Sequence, residues 1–125
     1  FEYFIDDIKI ISNSGFGSNI SKKAETLSRL TACQSTLTLN DTSVTKFEQN
    51  ELIKKVFGNS IKNNFKSFDL TIKNENGLLG CSSTNNGYEK NFGCTHKREI
   101  YIDKENNYLK GIDHKRADSQ PGPAQ

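Results

Sequence analysis

Apolar and polar residues alternate in short runs along most of this chain, and the runs are separated by Asn, Asp and Gly. Phe1–Ile5 and Ile8–Ser12 combine aromatic and β-branched residues on either side of Asp6-Asp7, which predicts two strands joined by a tight turn. Asn13-Ser14-Gly15-Phe16-Gly17-Ser18-Asn19 reads as a loop. Ser21 stands as a capping residue before Lys22-Lys23-Ala24-Glu25-Thr26-Leu27, so a short helix or a structured loop is expected there. From Gln34 to Leu39 the period is two, with Leu37 and Leu39 on one face and Thr36 and Thr38 on the other, the signature of a half-buried strand. Leu52, Ile53, Val56 and Phe57 recur at helical spacing and stop at Gly58, predicting a helix of one to two turns. Strands are predicted again where Phe68, Leu70 and Ile72 alternate with polar residues, over Leu78–Ser83, over Tyr88–Ile102 and over Tyr108–Ile112. In the run from Tyr88 the apolar side is Tyr88, Phe92, Cys94, Ile100 and Ile102. Short strands punctuated by turn residues, without a fixed repeat, predict an all-β fold: an antiparallel β-sandwich with one or two short helical segments.

The ends modify this picture. The chain has 125 residues and no Met, and it opens directly on a strand, so a fragment cut inside a sheet, a truncated sandwich, is expected. After Asp113 the sequence HKRADSQPGPAQ lacks core residues and carries both prolines, which predicts a disordered tail over 114–125. Mean hydropathy is −0.71, low enough that the piece is expected to lean on the rest of its protein for stability. No apolar run approaches the ~20 residues of a membrane helix, so no membrane span is expected. Lys and Arg number 17 against 15 Asp and Glu, a net +2 that is too balanced to point to nucleic acid. Three cysteines, Cys33, Cys81 and Cys94, have no C-x-x-C spacing. If Asn85-Asn86-Gly87 turns a hairpin, Cys81 faces Phe92 and Cys94 lies one diagonal step away, roughly 7–8 Å, so free thiols packed as small hydrophobes are expected.

Four separated patches carry a family likeness. The block LTACQSTLTLNDTS, Leu30 to Ser43, resembles the Ala-x-His-Ser/Thr-Thr-Leu segment of the heparinase II/III-like C-terminal domain, the β-rich half of a family of polysaccharide lyases. Upstream, FEYFIDDIKIISNSG resembles that family's Ser-Phe-Glu strand and the strand end that follows it. Downstream, NNGYEKNFGCTHKREIYID and YLKGID resemble its His-Asp-Gly-Tyr, Phe-Gly-x-x-His-Arg-Arg and Leu-x-Gly-x-Asp run. The patches fall in the family's order, so the likeness covers about 1–113, which is identified as part of the C-terminal β-sandwich domain.

The resemblance implies a parent protein that cleaves uronic-acid polysaccharide, such as a glycosaminoglycan, by β-elimination: a carbon–oxygen lyase, bacterial, of the periplasm or cell envelope. Its catalytic Tyr and His come largely from an N-terminal α-toroid that this chain does not include, so the chain alone is expected to be inactive and to support the fold and the substrate cleft. Tyr3, Tyr88, Tyr101 and Tyr108 could offer a phenol, but aromatics at strand positions more often fill a core or an edge. The family's sandwich also carries a metal site, at two positions that here hold Asn13 and Gln34. Neutral amides are weak zinc ligands, so no metal and no cofactor is expected. Cys33 points away from Gln34 if the segment is a strand, and a filler role suits it better. His96, Lys97 and Arg98 are the candidate substrate-binding residues, since clustered cations suit an acidic polysaccharide. Alternation splits them, His96 and Arg98 to one face and Lys97 to the other, so structural or solvated roles compete with contact to the polymer. The other reading of the parent is a non-catalytic carbohydrate-binding or cell-envelope β-sandwich protein that has lost lyase chemistry. Asn19-Ile20-Ser21 and Asn40-Asp41-Thr42 match a glycosylation sequon, a match common by chance in an Asn-rich chain.

Overall fold

The computed structural model describes residues 1–58, 60–63, 65–75 and 77–117. The chain is mostly β, with two antiparallel sheets of two and four strands and short helices between strands, in agreement with an all-β, sandwich-like class. It divides into two compact units, Phe1–Asn63 and Asn64–Gln125.

In the first unit, β1 (Tyr3–Ile5) and β2 (Ile8–Ile11) form the expected hairpin, with Ile5 opposite Ile8. Asp6 sits at φ 50, a left-handed conformation that a short polar side chain tolerates, and this closes the turn. Helix α1 (Lys22–Ser28) is capped by Ser21, whose side chain accepts from the Ala24 N–H at 3.1 Å. The loop before it lies so close that a Cβ on Gly17 would stand 2.6 Å from the Ala24 carbonyl, so only glycine fits. Helix α2 (Glu51–Phe57) also appears where the spacing predicts it, capped by Asn50 and ended by Gly58 at φ 67. Its apolar residues Leu52, Val56 and Phe57 are exposed.

The strand expected over Gln34 to Leu39 is absent. Thr31–Cys33 forms a 3-10 turn, and the residues after it are irregular up to an isolated bridge between Leu39 and Thr42. Asn40 and Asp41, at φ 47 and 51, make a two-residue reversal between them. The backbone groups a partner strand would need are taken locally. The Ser35 N–H donates to Asn13 Oδ1 at 2.8 Å and the Thr36 N–H to the Gln34 carbonyl at 2.8 Å. A short polar side chain such as that of Asn13 competes with ladder pairing in this way.

The second unit is a meander of β3 (Ser67–Glu75), β4 (Leu78–Asn85), β5 (Cys94–Asp103) and β6 (Tyr108–Ala117), hydrogen-bonded in that order. A bulge between Phe68 and Thr71, with Asp69 at φ 53, bends β3. The single run predicted from Tyr88 to Ile102 is broken: helix α3 (Glu89–Phe92) precedes β5, and Gly93 ends it at φ 58. Tyr88 caps that helix and is buried, with the Phe92 ring edge-on to it at 5.8 Å. Residues four apart share a side under both a period of 2 and one of 3.6, so Tyr88 and Phe92 fit either element.

The helix shifts the register that a tight hairpin would impose. Cys81 lies opposite Ile100 instead of Phe92, and Cys94 opposite Ala117. All three cysteines are free: Cys94 is buried, as expected of a filler, Cys33 is half-buried and Cys81 is exposed. The disorder expected from His114 onward does not hold over the described part of that segment. His114, Lys115, Arg116 and Ala117 pair with Lys97, His96, Thr95 and Cys94 as the end of β6. Ladder hydrogen bonds hold these residues without apolar content; the rest of the expected tail, 118–125, lies outside the described residues.

Candidate functional site

Register builds the first cluster. Arg98 on β5 faces Asp113 on β6 directly, and His96 stands two residues before Arg98 on the same side. Arg98 grips the carboxylate with both arms of its fork, Nε to Oδ1 at 2.7 Å and Nη2 to Oδ2 at 2.7 Å. His96, only 3% exposed, reaches the same Oδ1 through Nε2 at 2.7 Å. Its Nδ1 lies 3.2 Å from Asn85 Nδ2. An amide nitrogen only donates, and the Asn85 oxygen already accepts from the Gly87 N–H, so Nδ1 accepts and Nε2–H donates to Asp113. Arg98, then His96, hold the Asp113 carboxyl at about 2, well below its usual range, with burial opposing them in part.

Lys97 points to the other face, as alternation predicts. There Glu99 gathers three partners: Lys97 Nζ at 2.8 Å, His114 Nε2 at 3.2 Å and the Tyr101 hydroxyl, which donates to it. The Lys97 and Tyr101 hydrogen bonds hold Glu99 at about 2, and Glu99 in return raises the Tyr101 phenol above its ordinary value. The Tyr101 ring lies over Gly80, its cross-strand partner, where any side chain would collide at 2.6 Å. Through the His114–Glu99 contact the cluster ties β6 to β5. Among the other tyrosines, Tyr3 is half-buried, Tyr88 is buried and Tyr108 is exposed.

A second place gathers residues from the first unit. Asn13 and Gln34, far apart in sequence, line one cleft of about 350 Å³ together with Phe16, Arg29 and Phe47. Asn13 Oδ1 accepts from the Ser35 N–H at 2.8 Å and the Ser35 hydroxyl at 3.0 Å; Gln34 Nε2 donates to the Ser28 carbonyl at 2.7 Å. The oxygen that would coordinate a dication on Asn13 already accepts the Ser35 N–H, and Gln34 contributes no charge. Among the described residues no group of three or more His, Cys, Asp or Glu comes together to hold a metal. These donors do not fit zinc.

The family model for the Heparinase II/III-like, C-terminal domain matches residues 1–120 of the chain. The chain belongs to that family. It is therefore a member of a polysaccharide lyase family. No curated protein and no solved structure matches the chain. Within this heparinase II/III-like domain the two motif patches downstream become one object, because β5 carries His96 and Arg98 and β6 carries Asp113 at the end of Leu109-x-Gly111-x-Asp113. Asp113 is the residue that inspection of the basic triplet alone missed; the acidic end of the neighbouring motif was its signal. No helix among the described residues is long and apolar enough to cross a membrane.

Proposed function

We propose that this domain is the β-rich support of a lyase that cleaves uronic-acid polysaccharide by β-elimination, with a helical toroid domain supplying the catalytic Tyr and His. Elimination needs a base for the proton α to the carboxylate, a neutraliser for that carboxylate and an acid for the leaving oxygen. One observation carries the reading: the ionic groups here are matched to one another. His96 and Arg98 serve Asp113, and Lys97, Tyr101 and His114 serve Glu99. Such clusters fix strands and shape a wall. The chain alone should therefore give no ultraviolet absorbance of unsaturated uronate from acidic polysaccharide, and the protein with the toroid should give it. Turnover by the chain alone would overturn the division of labour.

A second reading, a carbohydrate-binding protein without lyase chemistry, is favoured by Asn13 and Gln34, which stand as hydrogen-bonded amides where the family likeness places metal ligands. A protein that contains the toroid and binds acidic polysaccharide without cleaving it would decide for this reading. A periplasmic or cell-envelope location suits either.

A further inference from the structure

The cleft around Asn13 and Gln34 has the build of a ligand site. Its volume, about 350 Å³, falls in the range of ~300–1,000 Å³ usual for small-molecule pockets, and its lining mixes apolar surface with a few polar groups. The loop that forms one side is fixed in place. The Ser14 N–H donates to the Cys33 carbonyl at 3.0 Å, the Gly17 N–H to Ser28 Oγ at 3.1 Å, and Gly17 packs against the Ala24 backbone. Phe16, held between these anchors, is 64% exposed. A rigid loop that displays a phenyl ring beside a cleft offers a flat apolar face at little ordering cost. Also lining the cleft, the Arg29 guanidinium lies over the Phe47 ring, 4.2 Å from its centre, which sets the plane of its fork.

The amides decide what kind of ligand suits this place. Among the described residues the Asn13 side chain uses only its oxygen and the Gln34 side chain only its nitrogen. One donor, Asn13 Nδ2, and one acceptor, Gln34 Oε1, therefore remain on residues that line the cleft. A dication needs acceptors and negative charge; an inorganic anion needs donors throughout. A hydroxyl both gives and accepts, and adjacent sugar hydroxyls present that pair of needs to two amides lining one cleft. We propose that this cleft binds one acidic sugar unit, with its C–H face on Phe16, its hydroxyls between Asn13 and Gln34, and its carboxylate toward Arg29. The acidic class of sugar rests on the polysaccharide reading above.

The test is a titration of the isotopically labelled chain, followed by amide resonances, with a uronate-containing disaccharide and with its neutral counterpart. Shifts should concentrate at the amides of residues 13–17, 29, 34 and 45–47. Phe16→Ala should weaken both ligands about tenfold, as loss of a stacking face implies. Arg29→Lys, which keeps the charge and loses the fork, should weaken the uronate alone. A dispersed spectrum in each variant shows that the fold has survived. Shifts elsewhere, or binding indifferent to both substitutions, overturn the cleft and leave the polysaccharide reading standing. No shift with either disaccharide also overturns the cleft, while cleavage of polymer by the toroid-bearing protein would still uphold the lyase reading. Cleft binding without any cleavage by that protein would remove the lyase and keep the site.

Discussion

Asp113 shows how much a single carboxylate can organise on a sheet. It accepts hydrogen bonds from Arg98 Nε, Arg98 Nη2 and His96 Nε2, each at 2.7 Å. Its pKa falls from the ordinary 3.8 to about 2. A carboxyl whose folded pKa is lowered stabilises the protein fully above its unfolded value and loses that contribution as pH falls through the folded one. The melting temperature should therefore drop between about pH 4 and pH 2. Glu99, also held at about 2, acts in the same window and with the same sign, so Asp113→Asn should flatten the acid slope without abolishing it. At pH 7 the substitution should cost about 1–2 kcal/mol, because it leaves Arg98 and His96 facing a weaker acceptor. Thermal melts across the pH series check both, and equal acid slopes in the two proteins would remove Asp113 from this role. His96 and Arg98 were legible as a pair because alternation alone puts them on one face. Their partner was hidden, since it lies 15 to 17 residues away and only the register of β5 and β6 brings it across.

Two elements escaped the sequence for different physical reasons. The pattern from Gln34 to Leu39 is a true alternation, but the Ser35 N–H is taken by the Asn13 side chain and the Thr36 N–H by the Gln34 carbonyl, and periodicity carries no information about that competition. In α3 the period itself is ambiguous: Tyr88 and Phe92 satisfy strand and helix alike, and only Gly93, in a left-handed conformation, marks the break. By contrast α1 and α2 were readable, because Ser21 and Gly58 punctuate them. The short helix gives a graded prediction. An added Cβ at Gly93 meets nothing within 4 Å, so Gly93→Ala should cost only its backbone strain, about 1 kcal/mol. Tyr88→Ala should cost about 3–5 kcal/mol, since Tyr88 is the largest fully buried side chain among the described residues. Urea unfolding of the two variants measures the ratio. A neutral Gly93→Ala would mean that the break before β5 is made some other way.

At the scale of the whole chain, the notable quantity is how little apolar surface is covered. Among the described residues the buried hydrophobic side chains are Tyr88 and Cys94, while Leu70 and Ile72 on β3 remain 70% and 72% exposed. The four-stranded sheet has β3 and β6 as its outer strands, and each presents an outer row of N–H and C=O groups that neither β4 nor β5 takes up. An edge strand with exposed Leu and Ile is a template for another copy of itself, because pairing satisfies its backbone and covers its side chains in one step. The family match runs over residues 1–120, so these surfaces belong to the domain proper. The isolated chain should therefore self-associate as its concentration rises, with a sedimentation coefficient that climbs accordingly. Ile72→Lys should suppress the effect with little loss of stability, since a charge on an exposed edge position opposes pairing and removes no buried contact. Sedimentation velocity on both proteins makes the comparison. A wild-type chain that stays monomeric at high concentration and melts cooperatively would show that its edges are closed in solution.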